Sequence, residues 1–243
     1  MKRLNVLGAE IHCITLEEAI LNAKEYFEGD NCRMVATPNS EIIMNAMKDP
    51  EFMDILNSAD MVIPDGIGLV YASKILKQPL KERVTGIDFV EGIFEYLNKE
   101  GKSVFLFGSK PGIAEIAVEN LSQKYPNIKF TGTYHGYYKD TEEEKIVELI
   151  NEATADLLCV ALGSPKQERF INKYRGRLKV KVAIGVGGSL DVWAGTLKRA
   201  PVFFQQTGLE WLYRLIQEPS RYKRMRILPL FMFKVLLKRK KAK

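Results

Sequence analysis

Short runs of consecutive apolar residues alternate along this chain with longer stretches in which apolar positions recur every three or four residues. The first pattern reads as strand buried on both faces, the second as amphipathic helix. Strands are expected at Arg33–Ala36, Met61–Ile63, Ser103–Phe107, Lys129–Tyr134, Leu157–Leu162 and Val180–Val186. Helices are expected from Thr15 to about Phe27, from Glu41 to about Lys48, after Pro50, and over about Leu69–Leu76 and Phe89–Asn98. Further helices should end near Lys124, cover Glu142–Ala153, and follow Glu168. Thr15-Leu-Glu-Glu18 is a capping box, in which the Thr15 hydroxyl and the Glu18 carboxylate satisfy each other's backbone N–H groups. Strand and helix alternate throughout, which predicts an α/β fold: a mostly parallel sheet with helices on both faces.

Polar residues gather just after the strands: Thr37 and Asn39, Asp65, Ser109 and Lys110, Gln167 and Glu168, and Asp191. In an open α/β sheet these positions mark the carboxyl edge, where ligands bind at a switch in strand order. Gly108-Ser-Lys-Pro-Gly112 and Gly185-Val-Gly-Gly188 sit at strand-to-helix turns. Backbone N–H groups there suit a phosphate, although glycine also serves simply to permit a tight turn. Neither loop is a G-x-G-x-x-G in the first unit, and there is no Walker lysine motif. A nicotinamide dehydrogenase is thereby disfavoured, while a nucleotide diphosphate ligand is not. Asp65 lies between Pro64 and Gly66 at the end of an apolar strand. A carboxylate desolvated there can act as a general base; the competing reading is an N-cap for the next helix.

Composition narrows the chemistry. Of 243 residues, 46% are hydrophobic and 27% charged, so the chain can bury a core without disulfides or metals. Its three cysteines are widely spaced and form no C-x-x-C, which points to a reducing cytosolic address. Two histidines exclude a multi-histidine metal centre, and no D-x-D element is present. No cofactor is therefore expected. A diphosphate leaving group would rely on Arg83, Lys110, arginines of the C-terminal segment and backbone donors. The basic start lacks the apolar stretch of a signal peptide, and no run approaches the length of a membrane-spanning helix.

The net charge of +6 is unevenly spread. From Arg214 to Lys243 there are eleven Lys and Arg against one acid, and residues 1–213 carry 25 bases against 29 acids. A mildly acidic body thus ends in a strongly basic segment, which calls for a polyanionic partner. Ile227-Leu-Pro-Leu-Phe-Met-Phe233 is apolar and too short to span a bilayer. Followed by Lys234 and Lys238-Arg-Lys-Lys, it suits shallow insertion into an anionic membrane surface. A helix packed on the body is the alternative. Nucleic acid is disfavoured, since the bases are not interleaved with stacking platforms in a recognisable module. The expected division is a catalytic domain over 1–200 and a basic amphipathic appendage over 201–243. Self-association stays open.

Several short motifs occur in a fixed order: Ala36-Thr-Pro-Asn-Ser40, Pro64-Asp-Gly-Ile-Gly68, Arg83-Val-Thr-Gly-Ile-Asp88, Phe105-Leu-Phe-Gly-Ser109 and Gly163-Ser-Pro-Lys-Gln-Glu168. Gly185-Val-Gly-Gly-Ser-Leu-Asp191, Arg199-Ala-Pro201, Gly208-Leu-Glu-Trp-Leu-Tyr-Arg214, Glu218-Pro219 and Arg221 follow. This ordered set, over roughly residues 5–226, resembles the WecG/TagA/CpsF family of bacterial glycosyltransferases. The resemblance implies a Rossmann-like fold and transfer of a sugar from a UDP-sugar to a polyprenyl-diphosphate-linked sugar at the cytoplasmic membrane face. Within the family it is nearest the branch that moves N-acetylmannosamine onto N-acetylglucosaminyl-diphospho-undecaprenol in wall teichoic acid linkage synthesis. Other members use N-acetylmannosaminuronate or glucose donors, and the motifs do not separate them.

The resemblance also implies that Asp65 is the base, with Thr37, Arg83 and Gln167 in the site and Arg214, Arg221 and Arg224 completing it. The expected mechanism is inverting: Asp65 deprotonates the acceptor hydroxyl, and Arg83 or the C-terminal arginines neutralise the departing UDP. Thr37, Asn39 and Gln167 would hydrogen-bond the sugars. Gly108, Ser109, Lys110, Tyr137, Gly185, Gly187 and Asp191 would hold the nucleotide, Asp191 at the ribose. Two other classes remain at this point: another nucleotide-dependent enzyme, such as an oxidoreductase, and a non-catalytic membrane-surface module.

Overall fold

The computed structural model describes residues 1–217, 219, 222 and 226–241, with the backbone alone for Gln206, Arg214, Lys240 and Lys241. A six-stranded sheet forms its centre, built from β3 (Arg33–Ala36), β4 (Met61–Val62), β5 (Ser103–Gly108), β6 (Lys129–Tyr134), β7 (Leu157–Ala161) and β8 (Val182–Gly185). The strand order is β4-β3-β8-β7-β5-β6, and every pairing is parallel. The expected strands are all present, within a residue or two at their ends.

Alternate residues of each strand feed opposite faces, as the two-residue period of a strand requires. Phe105 and Phe107 of β5 join one core with Met34, Ala36, Leu158, Val160 and Ala183. Val104 and Leu106 join the other with Val35, Leu157, Cys159, Val182 and Ile184. The first face is covered by α2 (Ser40–Ala46), α3 (Pro50–Asn57), α7 (Glu143–Glu152) and α8 (Lys166–Tyr174). The second is covered by α1 (Leu16–Tyr26), α5 (Gly86–Glu100), α6 (Ile113–Lys124) and α9 (Ser189–Trp193). The α1 capping box forms as expected, and Thr85 caps α5 by accepting from Asp88 N–H. Helix α4 (Ile67–Ile75) follows β4. Two short helices, α10 (Val202–Gln206) and α11 (Glu210–Gln217), lead toward a C-terminal helix, Ile227–Lys241.

One element was not legible in the pattern. β1 (Arg3–Val6) and β2 (Ala9–His12) form an antiparallel hairpin joined by Leu7-Gly8. Both turn residues have positive φ, 53° and 105°, the geometry that usually selects Asn-Gly or Asp-Gly. Leucine at the first position hides the signal. Asn5 compensates, its side-chain oxygen accepting from Gly8 N–H at 3.1 Å. His12 at the end of β2 is buried, and its Nδ1 accepts from Val62 N–H at 2.9 Å, tying the hairpin to β4. Burial first, then the Arg3 charge, lower the His12 pKa to about 4.

The C-terminal apolar run is docked on the body along one face. Phe231 and Val235 are fully buried in the first core, where their helix packs against α2 and α4. Leu230, Phe233, Leu236 and Leu237 stay exposed. At 100° per residue these four point away from the Phe231–Val235 face. No helix among the described residues is long and apolar enough to cross a membrane.

Candidate active site

A cavity of about 400 Å³ opens at the carboxyl edge of the sheet. It is lined by the segments following β3, β4, β7 and β8, by Arg83, Thr85, Gly86 and Ile87, and by Gly208, Glu210 and Trp211 around α11. Ile227 and Leu228, the first residues of the C-terminal helix, close another wall. Strand order explains the position. The chain leaves β3 toward α2 and α3 on the first face and leaves its neighbour β8 toward α9 on the second, so the two segments part over the β3/β8 crevice and make it a topological switch point.

Seven of the sequence-derived candidates meet here: Thr37, Asn39, Asp65, Arg83, Gln167, Gly185 and Gly187. Thr37 follows β3, and its hydroxyl donates to the Gly185 carbonyl at 3.5 Å. Asn39 has a structural duty as well: its Oδ1 accepts from Glu41 and Ile42 N–H and caps α2. With Oδ1 taken by the cap, its amide nitrogen is the end able to serve a ligand. Asp65 is half-buried on the cavity wall, its backbone N–H donating to the Pro38 and Ile63 carbonyls. It does not cap α4. That position belongs to Gly66, at φ 95°, and no side chain caps the helix. The alternative reading of Asp65 as an N-cap is therefore set aside.

Gln167 is buried, and both ends of its amide are held. Gly187 N–H donates to its Oε1 at 3.2 Å, and its Nε2 donates to Glu168 Oε1 at 2.9 Å. A side chain on Gly185 would place Cβ 2.4 Å from Gln167 Nε2, so glycine is needed there for close approach. Gly108, at φ 130°, answers to the same constraint, since a Cβ would lie 2.4 Å from the Ala161 carbonyl oxygen. Packing thus accounts for these two glycines.

Arg83 lies closer to an acid than the sequence suggested. Its Nη2 is 3.0 Å from Glu210 Oε2, with side-chain exposures of 15% and 13%. Glu210 stands within the Gly208–Arg214 motif with no role evident from sequence, and Glu168 is marked there only as one of the polar residues at the carboxyl edge. The Glu168 carboxyl is buried, and desolvation raises its pKa. Charge content and periodicity give no hint that Glu210 lines the cavity or that Glu168 is buried beside Gln167.

The remaining candidates form a second group beyond the cavity lining. Ser109, after β5, donates from Oγ to Asp191 Oδ1 at 3.1 Å. Gly136 N–H donates to the Ser109 carbonyl at 2.8 Å, which brings the segment holding the exposed Tyr137 alongside. Lys110 is exposed beside Ser109. Gly108, Ser109, Lys110, Tyr137 and Asp191 therefore cluster over β5, β6 and β8, adjoining the cavity through the Gly185–Asp191 segment. Arg214 falls in α11, and Arg221 and Arg224 lie outside the described residues.

The sequence profile of the glycosyl transferase WecG/TagA/CpsF family matches residues 4–243. The chain belongs to this family. The protein is accordingly a glycosyltransferase. Among its relatives is the N-acetylglucosaminyldiphosphoundecaprenol N-acetyl-beta-D-mannosaminyltransferase of Bacillus subtilis, 39% identical over 90% of this chain and 85% of that protein. The enzyme of the same name from Staphylococcus aureus is 35% identical over 99% of this chain and 95% of its own length. The corresponding Bacillus spizizenii enzyme is 38% identical over 87% and 81%. The oxidoreductase and the non-catalytic module are thereby set aside.

Proposed function

We propose that this glycosyltransferase moves N-acetylmannosamine from UDP to N-acetylglucosamine carried on undecaprenyl diphosphate, the step that builds the wall teichoic acid linkage unit. The single observation that carries the reading is the cavity at the β3/β8 crevice, where Asp65, Thr37, Arg83 and Gln167 converge. The relatives' reaction, matched over nearly the whole chain, supports the choice of sugars.

In this mechanism Asp65 takes the proton of the acceptor hydroxyl, which attacks the anomeric carbon as UDP leaves from the opposite face. Inversion follows from that single displacement, and it accords with the beta product in the relatives' name. Thr37, the Asn39 amide nitrogen and Gln167 orient the sugars. Arg83, with Arg214, Arg221 and Arg224 from the C-terminal segment, offsets the charge on the leaving diphosphate. The Ser109–Asp191 group, with Gly108, Lys110, Tyr137, Gly185 and Gly187, holds the nucleotide. Transfer needs no metal in this scheme, because arginines replace the cation that a D-x-D enzyme would hold.

Residues 201–243 act as the appendage that meets the inner face of the cell membrane. Leu230, Phe233, Leu236 and Leu237 enter the interface while the basic end meets anionic headgroups. A donor panel tests the proposal. UDP release should depend on a short-chain lipid-diphosphate N-acetylglucosamine acceptor and be fastest with UDP-N-acetylmannosamine. Faster release with UDP-N-acetylmannosaminuronate or UDP-glucose would overturn the choice of donor.

A further inference from the structure

Gln167 carries two amide hydrogens and one oxygen, and its surroundings use them in one sense only. The oxygen faces a group that can only donate, the Gly187 N–H at 3.2 Å. The nitrogen faces an acceptor, Glu168 Oε1, at 2.9 Å. Reversing the amide would set oxygen against the carboxyl oxygen and N–H against N–H, so both contacts would be lost. Glu168 belongs to the same helix, α8, and is 3% exposed, so water does not compete for its carboxyl. The missing side chain at Gly185 supplies the space in which the nitrogen sits.

We propose that Glu168 is a positioning residue that locks the Gln167 amide, so that Gln167 meets substrate only as an N–H donor through its second amide hydrogen. The ligand atom opposite is then an acceptor: a sugar hydroxyl or acetamido oxygen, or a phosphate oxygen. This rests on the placement of Gln167 in the transferase site proposed above. What matters is the reach of the acceptor, not its charge. Gln at 168 keeps the reach and can offer its own carbonyl oxygen. Asp keeps the carboxylate and withdraws it by one methylene. Leu removes the acceptor and keeps the bulk.

The test uses the full chain with UDP-N-acetylmannosamine and a short-chain lipid-diphosphate N-acetylglucosamine acceptor. Glu168→Gln should keep kcat within about threefold of the parent, while Glu168→Asp and Glu168→Leu should lower it roughly 10- to 100-fold, the scale of a misplaced contact. KM for the donor should change less than kcat. In a Gln167→Ala background, Glu168→Asp should cost nothing further, because the group it positions is gone. A purely structural role would reduce activity equally in both backgrounds, and a role for the charge would reverse the order of Gln and Asp. Either result overturns the proposal. A readout free of substrate separates this inference from the transferase reading. The Gln167 side-chain amide resonances, assigned by their loss in Gln167→Ala, should stay sharp and protected from solvent exchange in Glu168→Gln and broaden or lose that protection in Glu168→Asp. Sharp, protected resonances in Glu168→Asp refute the lock even if turnover falls. Loss of protection in Glu168→Asp of a protein whose parent turns over no UDP-sugar upholds the lock and refutes the proposed UDP-sugar reaction.

Discussion

Arg83 Nη2 and Glu210 Oε2 stand 3.0 Å apart in the cavity wall, joining the segment before α5 to helix α11. The contact ties the strand-helix body to the segment that leads into the basic end. It also places a carboxylate on the cation proposed to receive the leaving diphosphate. A diphosphate approaching Arg83 must compete with Glu210 for the same guanidinium.

Removing that competitor should favour the nucleotide. Glu210→Gln is expected to tighten UDP binding roughly tenfold, the worth of one charge-assisted hydrogen bond, and Arg83→Ala to weaken it by a similar factor. Isothermal titration with UDP alone checks both. Equal affinities in parent and Arg83→Ala would remove Arg83 from the diphosphate site.

Asp65→Asn should lower kcat about 10²–10⁴-fold, the usual range for loss of a general base. The fold should survive, because the Asp65 backbone N–H keeps its bonds to Pro38 and Ile63 and the Gly66 cap of α4 uses no side chain. UDP release and a melting curve on the same sample check the two halves. Near-normal turnover in the folded variant would take Asp65 out of the mechanism.

Stability should depend on pH through His12. Its folded pKa, about 4, lies below the ordinary value of 6.5. Between those values the unfolded chain binds the proton and the folded one does not. The contribution of neutral His12 is therefore complete above pH 6.5 and is lost as pH falls toward 4, by about 3 kcal/mol at most. Urea unfolding at a series of pH values should show the decline, and His12→Gln should flatten it. An unchanged slope in that variant would refute the assignment.

The two faces of the C-terminal helix should separate in experiment. Phe231→Ala opens a cavity in the core and should cost about 3 kcal/mol, read as a lower melting temperature. Phe233→Ala alters an exposed face and should leave melting unchanged while reducing sedimentation with anionic vesicles. Loss of vesicle binding in neither variant would contradict the proposed membrane role.

Activity should persist in EDTA, since arginines supply the positive charge in the proposed mechanism. Full loss on chelation, restored by magnesium or manganese, would require a metal site instead.

The sheet and its helices were readable because a parallel strand covered on both faces is a continuous apolar run, and β5 and β7 are clear examples. The cavity was partly readable, since Thr37, Asp65 and Gln167 each lie past a strand end on the carboxyl edge of the sheet. The hairpin β1–β2 escaped notice because Leu7 occupies a turn position that normally advertises itself with Asn or Asp. Glu168 was legible as a polar residue of the carboxyl edge but not as a buried partner of Gln167, and Glu210 was not legible at all, because a charge in a polar motif looks solvated until its neighbours are known. The C-terminal run was ambiguous for a further reason. Phe231 and Phe233 are alike in sequence, and only docking on α2 and α4 decides which of them is core.

The linkage formed in a single reaction tests the account most directly. Full-length protein would be incubated with UDP-N-acetylmannosamine and a short-chain lipid-diphosphate N-acetylglucosamine, and the product examined by NMR at its new anomeric centre. The account predicts one added N-acetylmannosamine in β linkage, formed in step with UDP release and nearly absent with Asp65→Asn. An unmodified acceptor, or an α-linked product, would contradict it.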